Sequence, residues 1–366
     1  MNKENRSSQL WSILASAVKS VHREQRRLDI CDCVDADYIW LDPIVMRLFK
    51  VRLLEQTAKA SDENILWLEL SPCPVITTFD NLTDLPTVVS SLHLHLYKTF
   101  SDSKSTNSTH TNPLLDILTG FDNTGNVQLW PSEIFLAHSI FFENLYPGLW
   151  EEIYMNFKFY PIQKVCELCA GMTGAAGVAV SMRKYSTIFQ ISDVLITDGN
   201  DRCVSSIMST VDHHKGRLSN IDESSIPQIN IDVKNIRWPK DCCESPPVAE
   251  LTESLIHQFH LIIAADCFFN QAYHKSMLNT IHKLLSLRSG SIFLAIAPLR
   301  GDSLMNFVNL AYQSETDYNW SVKMKSPSEY LHLQFISCII NESNRVQLTD
   351  NELDKRIGHL VILTRN

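Results

Sequence analysis

The sequence predicts an α/β protein whose larger part is a doubly wound sheet of seven strands. Three observations carry that prediction. From about residue 160 onwards, apolar strand-like runs alternate with helix-like segments. The first such run, ending Val165-Cys166-Glu167-Leu168, leads through a stretch rich in small residues, Cys169 to Gly177, straight into a helix. Three acids, Glu167, Asp198 and Asp266, stand at predicted strand ends, so the fold gathers them round one crevice.

Taken in order, residues 1–112 read as a separate, less regular α+β extension. Leu10 to Arg27 has helical periodicity with a basic end, and Ile65 to Leu70 and Val88 to Tyr97 read as strands. The polar run Ser101 to Asn112 reads as a loop or linker. Residues 113–366 make the main domain. Its strands are predicted at 163–168, 193–198, 228–233, 259–265, 290–297, 320–325 and 358–364. Helices near 174–184, 200–213, 272–287, 302–314 and 327–341 lie between most of them. That alternation predicts parallel strands with right-handed crossovers, a Rossmann-like core with helices on both faces. Arg217–Pro227 and Pro239–Ser254 are expected to be surface insertions.

Composition narrows the function. The 366 residues are long enough to bury a substantial core, and a net charge of −9 argues against a nucleic-acid-binding surface. Met1 to Val21 lacks a secretory apolar core, and no apolar run is long enough to cross a bilayer. Ten cysteines then read as reduced thiols of an intracellular protein, and the Asn-x-Ser/Thr triplets at Asn81, Asn107 and Asn341 as chance occurrences without glycans.

The small residues after Glu167 let a ligand approach the backbone, and helix-initial N–H groups add polar contacts. Asp198 closes the next apolar run, where a doubly wound sheet places the carboxylate that grips ribose hydroxyls. Together they point to a nucleoside-containing cofactor.

Phe121-Asp122-Asn123-Thr124-Gly125-Asn126-Val127-Gln128-Leu129-Trp130-Pro131-Ser132-Glu133 resembles the segment just before the catalytic core of calmodulin-lysine N-methyltransferases. Val165 to Gly177, Leu195 to Asn200, Arg237-Trp238, Ala264 to Phe269 and Ala297 to Gly301 fall in the order of that family's motifs. The resemblance covers roughly 113–366; residues 1–112 match only loosely. It implies a class I, seven-strand methyltransferase core, S-adenosylmethionine as cofactor and a lysine ε-amine on a folded protein as acceptor. By the same resemblance Glu167, Cys169, Ala170, Gly171 and Thr173 would wrap the methionine and ribose portions, with Ala265 also in contact. Asp198 would take the ribose hydroxyls, Trp238 would pack on the adenine, and Trp130 would approach from the N-terminal side. Asp266 and Phe269 stand at the family's Asp-x-x-aromatic motif, which borders the lysine channel. The partner implied is a calmodulin-like protein, with substrate recognition falling to 1–112. The expected enzyme is a monomer of the cytoplasm and also the nucleus, without nucleic acid, membrane or metal.

Two departures stand out. The family's first two motif glycines are Cys169 and Ala170 here. A cysteine forced to φ > 0 carries about 1–2 kcal/mol of strain and a Cβ that crowds the ligand; in extended geometry it weakens binding only modestly. Two alternatives therefore stand beside calmodulin methylation. One is the same reaction on a chaperone or translation factor; the other is an inactive relative that acts as a binding module.

The chemistry asks for alignment, exclusion of water and a neutral amine. Neutralising a free lysine at pH ~7.4 costs about 4 kcal/mol, and an apolar channel beside a sulfonium lowers that cost. Phe268, Phe269 and Trp130 suit its walls. Each of these side chains also has a plainer reading, as core aromatics and helix-capping acids. Cys166-x-x-Cys169 has redox spacing, but Cys166 falls in a buried strand. Cys31-x-Cys33, Cys242-Cys243 and His213-His214 lack a second ligand pair at zinc spacing. His93 and His95 read as one solvated strand face. The basic clusters Arg23, Arg26, Arg27 and Arg47, Lys50, Arg52 read as solvated, or as a dock for an acidic partner.

Overall fold

In the computed structural model, described for residues 48–54, 65–73, 91–97, 129–183, 186–218, 229–239, 251–331, 354 and 357–366, the chain forms two sheets. The smaller is antiparallel: β1 (Phe49–Leu53), β2 (Ile65–Pro72) and β3 (Leu92–Tyr97), in that spatial order. Two helices follow, α1 (Pro131–Phe141) and α2 (Pro147–Asn156), each with proline in its first turn, where the missing N–H costs nothing. Neither helix was expected from the sequence; nor was β1.

The larger sheet holds all seven predicted strands. They are β4 (Ile162–Leu168), β5 (Phe189–Asp198), β6 (Asn230–Asn235), β7 (Leu261–Ala265), β8 (Ile292–Ala297), β9 (Trp320–Lys325) and β10 (His359–Arg365). Between them run α3 (Ala175–Ser181), α4 (Asp201–Leu218), α5 (His274–Leu284), α6 (Ser303–Gln313), and the short α7 (Glu315–Tyr318) and α8 (Pro327–Tyr330). Spatial order is β6-β5-β4-β7-β8-β10-β9. The first five pair in parallel, as alternation predicts. β10 departs from that expectation. It lies antiparallel between β8 and β9, because it enters from the same end that β9 leaves by.

Helices cover both faces, so the central strands are apolar on both sides. In β8, Ile292, Leu294 and Ile296 join the core shared with α1, α3 and α4, while Phe293, Ala295 and Ala297 face α5 and α6. The small sheet belongs to the first of these cores: Leu68, Leu92, Leu94 and Leu96 are buried in it. The boundary near residue 112 lies outside the described residues, as do the predicted helix 10–27, the cysteines at 31, 33, 242 and 243, and the arginines at 23, 26, 27 and 47.

The solvated-face reading of His93 and His95 is corrected. Both pack on α4: the His93 amide donates to His214 Nε2 at 3.0 Å and its Nδ1 shares a hydrogen bond with His213 Nε2 at 2.9 Å. The His95 amide donates to Thr210 Oγ1 at 2.9 Å, and its Nδ1 bonds Ser206 Oγ at 2.9 Å. Burial, aided by Arg217, pushes His93 down to about 4 and His214 to about 3, so both are neutral at pH 7. Polar residues on this face are satisfied by a partner helix rather than by water.

Candidate active site

The carboxyl ends of β4, β5 and β7 open onto a cleft of about 680 Å³, within the usual range for small-molecule sites. Cys169, Asp198, Trp238, Cys267 and Phe269 line it. The turn from β4 to α3 borders it and contributes Cys169 to its lining. Cys169, Gly171 and Gly174 are all left-handed there, with φ of 55°, 59° and 59°. A Cβ built on Gly171 meets nothing within 4 Å, so glycine is required there by conformation and the space above it stays open to a ligand.

Asp198 holds this turn. Its Oδ2 accepts from the Gly171 amide at 2.9 Å and its Oδ1 from the Asn200 amide at 2.8 Å. It is a buried acid already aimed by two backbone donors. On the far side Arg237 pairs with Asp201 in an exposed ion pair and donates to Gly199 O at 3.1 Å. Next to it Trp238 lines the cleft, with its Nε1 buried and lacking an acceptor among the described residues.

Cys169 follows the strained branch expected above. At φ 55° its Cβ costs about 1 kcal/mol, yet the side chain sits in the wall as a free thiol, hydrogen-bonded to that of Cys267, without closing the cleft. That bond and burial hold its thiol protonated. Replacing Cys169 with glycine is expected to raise unfolding stability by at most about 0.5 kcal/mol, because glycine's greater unfolded-state entropy offsets most of the relief. Denaturant titration checks this; a midpoint lowered by about 0.5–1 kcal/mol, the cost of the glycine alone, shows that the cysteine carries no strain.

Behind the turn lie two buried carboxylates that serve α3. The helix has no side-chain cap of its own. Glu133 of α1 accepts from the Ala175 amide at 2.9 Å and from the Thr173 hydroxyl; Glu167 Oε2 accepts from the Gly177 amide at 2.7 Å. These fill positions that a helix N-terminus leaves open to acceptors. Burial pushes Glu133 up to about 7 and Glu167 well above the ordinary carboxylate range, with repulsion from Glu133 adding to the rise of Glu167. A folded-state value above the ordinary carboxylate range means stability falls as pH rises from about 4.5 towards 7. Glu133→Gln keeps the acceptor and removes the titration. Its stability relative to wild type should therefore increase by about 1–3 kcal/mol between pH 5 and 8. A difference that stays constant across this range would refute the assignment.

At the third strand end Asp266 has φ 50°. It does not cap the next helical turn; Asn270 does, accepting from the Ala272 amide at 3.1 Å. Its Oδ2 accepts from Arg300, whose guanidinium carbon lies 4.6 Å from the centre of the Trp130 ring. Burial pushes Asp266 up to about 6, with Arg300 opposing the rise. Phe269 is 40% exposed in the cleft wall. Phe268 is not a wall residue: it is buried against Phe307 with ring centres 4.2 Å apart, because its side chain falls on the opposite side of the strand end.

A model of the lysine methyltransferase family matches residues 110–313, more than half of the chain. The chain belongs to that family. Calmodulin-lysine N-methyltransferase of Arabidopsis thaliana is 31% identical over 189 residues, covering 51% of this chain and 50% of that one. This chain thus spans about half the length of the curated relative it matches. Among solved structures, the plantazolicin methyltransferase BpumL in complex with SAH aligns with a TM-score of 0.35 and 13% identity over 62% of this chain and 85% of that one. The citrinin polyketide synthase CMeT domain aligns with a TM-score of 0.34 and 14% identity over 63% and 52%. Neither structural likeness is close, and the fold stands on its own strand order.

In this member of the lysine methyltransferase family, Cys169, Asp198, Trp238 and Phe269 share the cleft. Gly171 is bonded to Asp198 beside it. The structure sets four other expected contact residues back from it. Glu167 and Thr173 are buried and bonded to α3 and Glu133, Ala170 is buried with its amide on Thr197 O at 2.9 Å, and Ala265 is half-buried in β7. Trp130 and Asp266 meet through Arg300 rather than directly. Two residues had no expected role, Glu133 and Arg300. Both lie in the quoted motifs, but only the folded chain shows what they hold.

Proposed function

We propose that this protein methylates a lysine ε-amine of a folded protein, using S-adenosylmethionine. The observation that carries the proposal is Asp198 at the end of β5, fixed by the Gly171 and Asn200 amides on the wall of an open cleft. The donor set fits the cofactor. An oriented carboxylate suits ribose hydroxyls, the uncrowded Gly171 suits a close-lying chain, and Trp238 offers an aromatic face. When bound, S-adenosylmethionine supplies an electrophilic methyl group.

The chain's own residues do the rest. The acceptor nitrogen would take the methyl group in line as its bond to sulfur breaks, and the displaced ammonium proton would leave to solvent. No strong base is needed, because positioning supplies several kcal/mol and a desolvated channel lowers the cost of the neutral amine. Phe269 walls the channel and excludes water; Asp266, buried behind that wall with Arg300, orients the amine through its charge.

Calmodulin, or a similarly acidic folded protein, is the proposed acceptor, supported by the named Arabidopsis relative. With this chain at −9, such a partner would need a local positive patch from the N-terminal section, and its binding should weaken with salt. Action as a monomer in cytoplasm and nucleus belongs to the same proposal; among the described residues no helix is long and apolar enough to cross a membrane.

The test is transfer of labelled methyl to a single band of a cell extract, lost in Asp198→Ala, with mass spectrometry of that band to identify the acceptor. Absence of calorimetric binding at millimolar S-adenosylmethionine would overturn the proposal and favour a binding module.

A further inference from the structure

We propose that Arg300 is a positioning residue for the acceptor lysine, tying Trp130 and Asp266 into one wall and keeping the Asp266 carboxylate charged towards the incoming amine. The inference rests on the methyltransferase reading above and deepens it.

Three separate chain segments meet at this side chain. Arg300 lies in the loop after β8, Asp266 ends β7 and Trp130 begins α1. The guanidinium stacks 4.6 Å from the Trp130 ring centre and pairs with Asp266 Oδ2. Cys267 and Phe269, which follow Asp266, line the cleft, so the triad stands directly behind that wall. The carboxylate is almost sealed, at 5% side-chain exposure, against 29% for Arg300.

The geometry is not what simple packing favours. Arg300 engages the carboxylate from one edge only, and its Nε is buried without an acceptor among the described residues. The buried unpaired donor is destabilising, and the ion pair offsets it, since an apolar side chain here would leave Asp266 buried without a partner. What an apolar residue does not supply is a fixed positive charge. Of the described groups around Asp266, Arg300 from the β8 loop is the charged one acting on it; Trp130 from α1 does not titrate, and the nearby Cys169 thiol stays protonated beside Cys267. Asp266 Oδ1 takes no hydrogen bond from a described residue, so its charge is left to act across the cleft wall on an amine held there.

Burial pushes Asp266 up to about 6, with Arg300 opposing the rise. Without the cation the carboxylate would take its proton at a higher pH, by about one unit or more. The test compares wild type, Arg300→Met, Arg300→Lys and Asp266→Asn in full-length protein, from pH 6 to 9. Labelled S-adenosylmethionine is the donor, and the acceptor is the protein that wild type labels. The ratio of Arg300→Met to wild-type kcat is expected to fall further at pH 6.5 than at pH 9, by about threefold or more. Arg300→Lys should restore that ratio while leaving a raised KM for the protein acceptor, since lysine keeps the charge but not the planar stack. In the Asp266→Asn background, Arg300→Met should have no pH-dependent effect. Calorimetric affinity for S-adenosylmethionine and the part of the tryptophan emission lost in Trp130→Phe report independently of turnover: the first should stay within about twofold, and the second should change in Arg300→Met. A pH-independent ratio, or loss of cofactor binding in Arg300→Met, overturns the assignment and leaves Arg300 a merely structural residue. Failure of wild type to bind the cofactor or transfer methyl would instead overturn the underlying reading.

Discussion

Replacing Asp198 with alanine is expected to weaken S-adenosylmethionine binding by a factor of about a hundred or more. A hydrogen bond to a charged group contributes roughly 1.5–3 kcal/mol, so losing the acceptor for two ribose hydroxyls alone reaches that factor. The deletion also releases the amides of Gly171 and Asn200, both held by this carboxylate. With neither fixed, the left-handed turn at Gly171 loses its anchor and that border of the cleft loosens. Asp198→Asn keeps one carbonyl oxygen and should fall between the two. Calorimetry decides, with circular dichroism confirming that the variant folds. An unchanged dissociation constant in Asp198→Ala would show that the ligand is held elsewhere.

Gly177→Ala is expected to destabilise the fold by about 3 kcal/mol or more, although alanine is the better helix former by about 1 kcal/mol. The added Cβ would lie 2.6 Å from Glu167 Oε2 and 2.7 Å from Ile196 Cγ1. Neither neighbour yields easily. Glu167 is pinned by the amide of Gly177 itself at 2.7 Å, and Ile196 is fully buried in β5. The start of α3 must therefore lift off the sheet, moving the turn with it. Chemical denaturation measures the loss, and a variant as stable as wild type would show that the contact is slack. Cofactor affinity should fall in parallel, because the displaced turn carries Gly171.

These residues show what the amino-acid order reveals and where it stops. The strands of the large sheet were legible because burial on two faces demands unbroken apolar runs, as in Ile292–Ala297. The position of β10 was not legible. An apolar run is equally apolar in either direction, and only the pairing of Val361 with Ala295 and Met324 fixes which way it lies. Asp198 was legible because a strand end followed by glycine is a local pattern. Glu133 was not: an acid in the first turn of α1 looks like a partner for its own helix, yet it caps α3, 42 positions away. His93 and His95 misled for a related reason. Alternation reports that one face is polar, and it cannot distinguish water from the hydroxyls and imidazoles of α4.

The interior slot taken by β10 also bears on how the molecule is made. As the chain emerges from the ribosome, β8 and β9 are synthesised well before the segment that joins them. Until residues 359–365 arrive, each presents a bare backbone ladder beside apolar side chains. Such unpaired edges are where nascent chains stick to one another. The half-made protein is therefore at its most vulnerable after its cofactor-binding half has been completed, and a chaperone's protection would matter most during that interval.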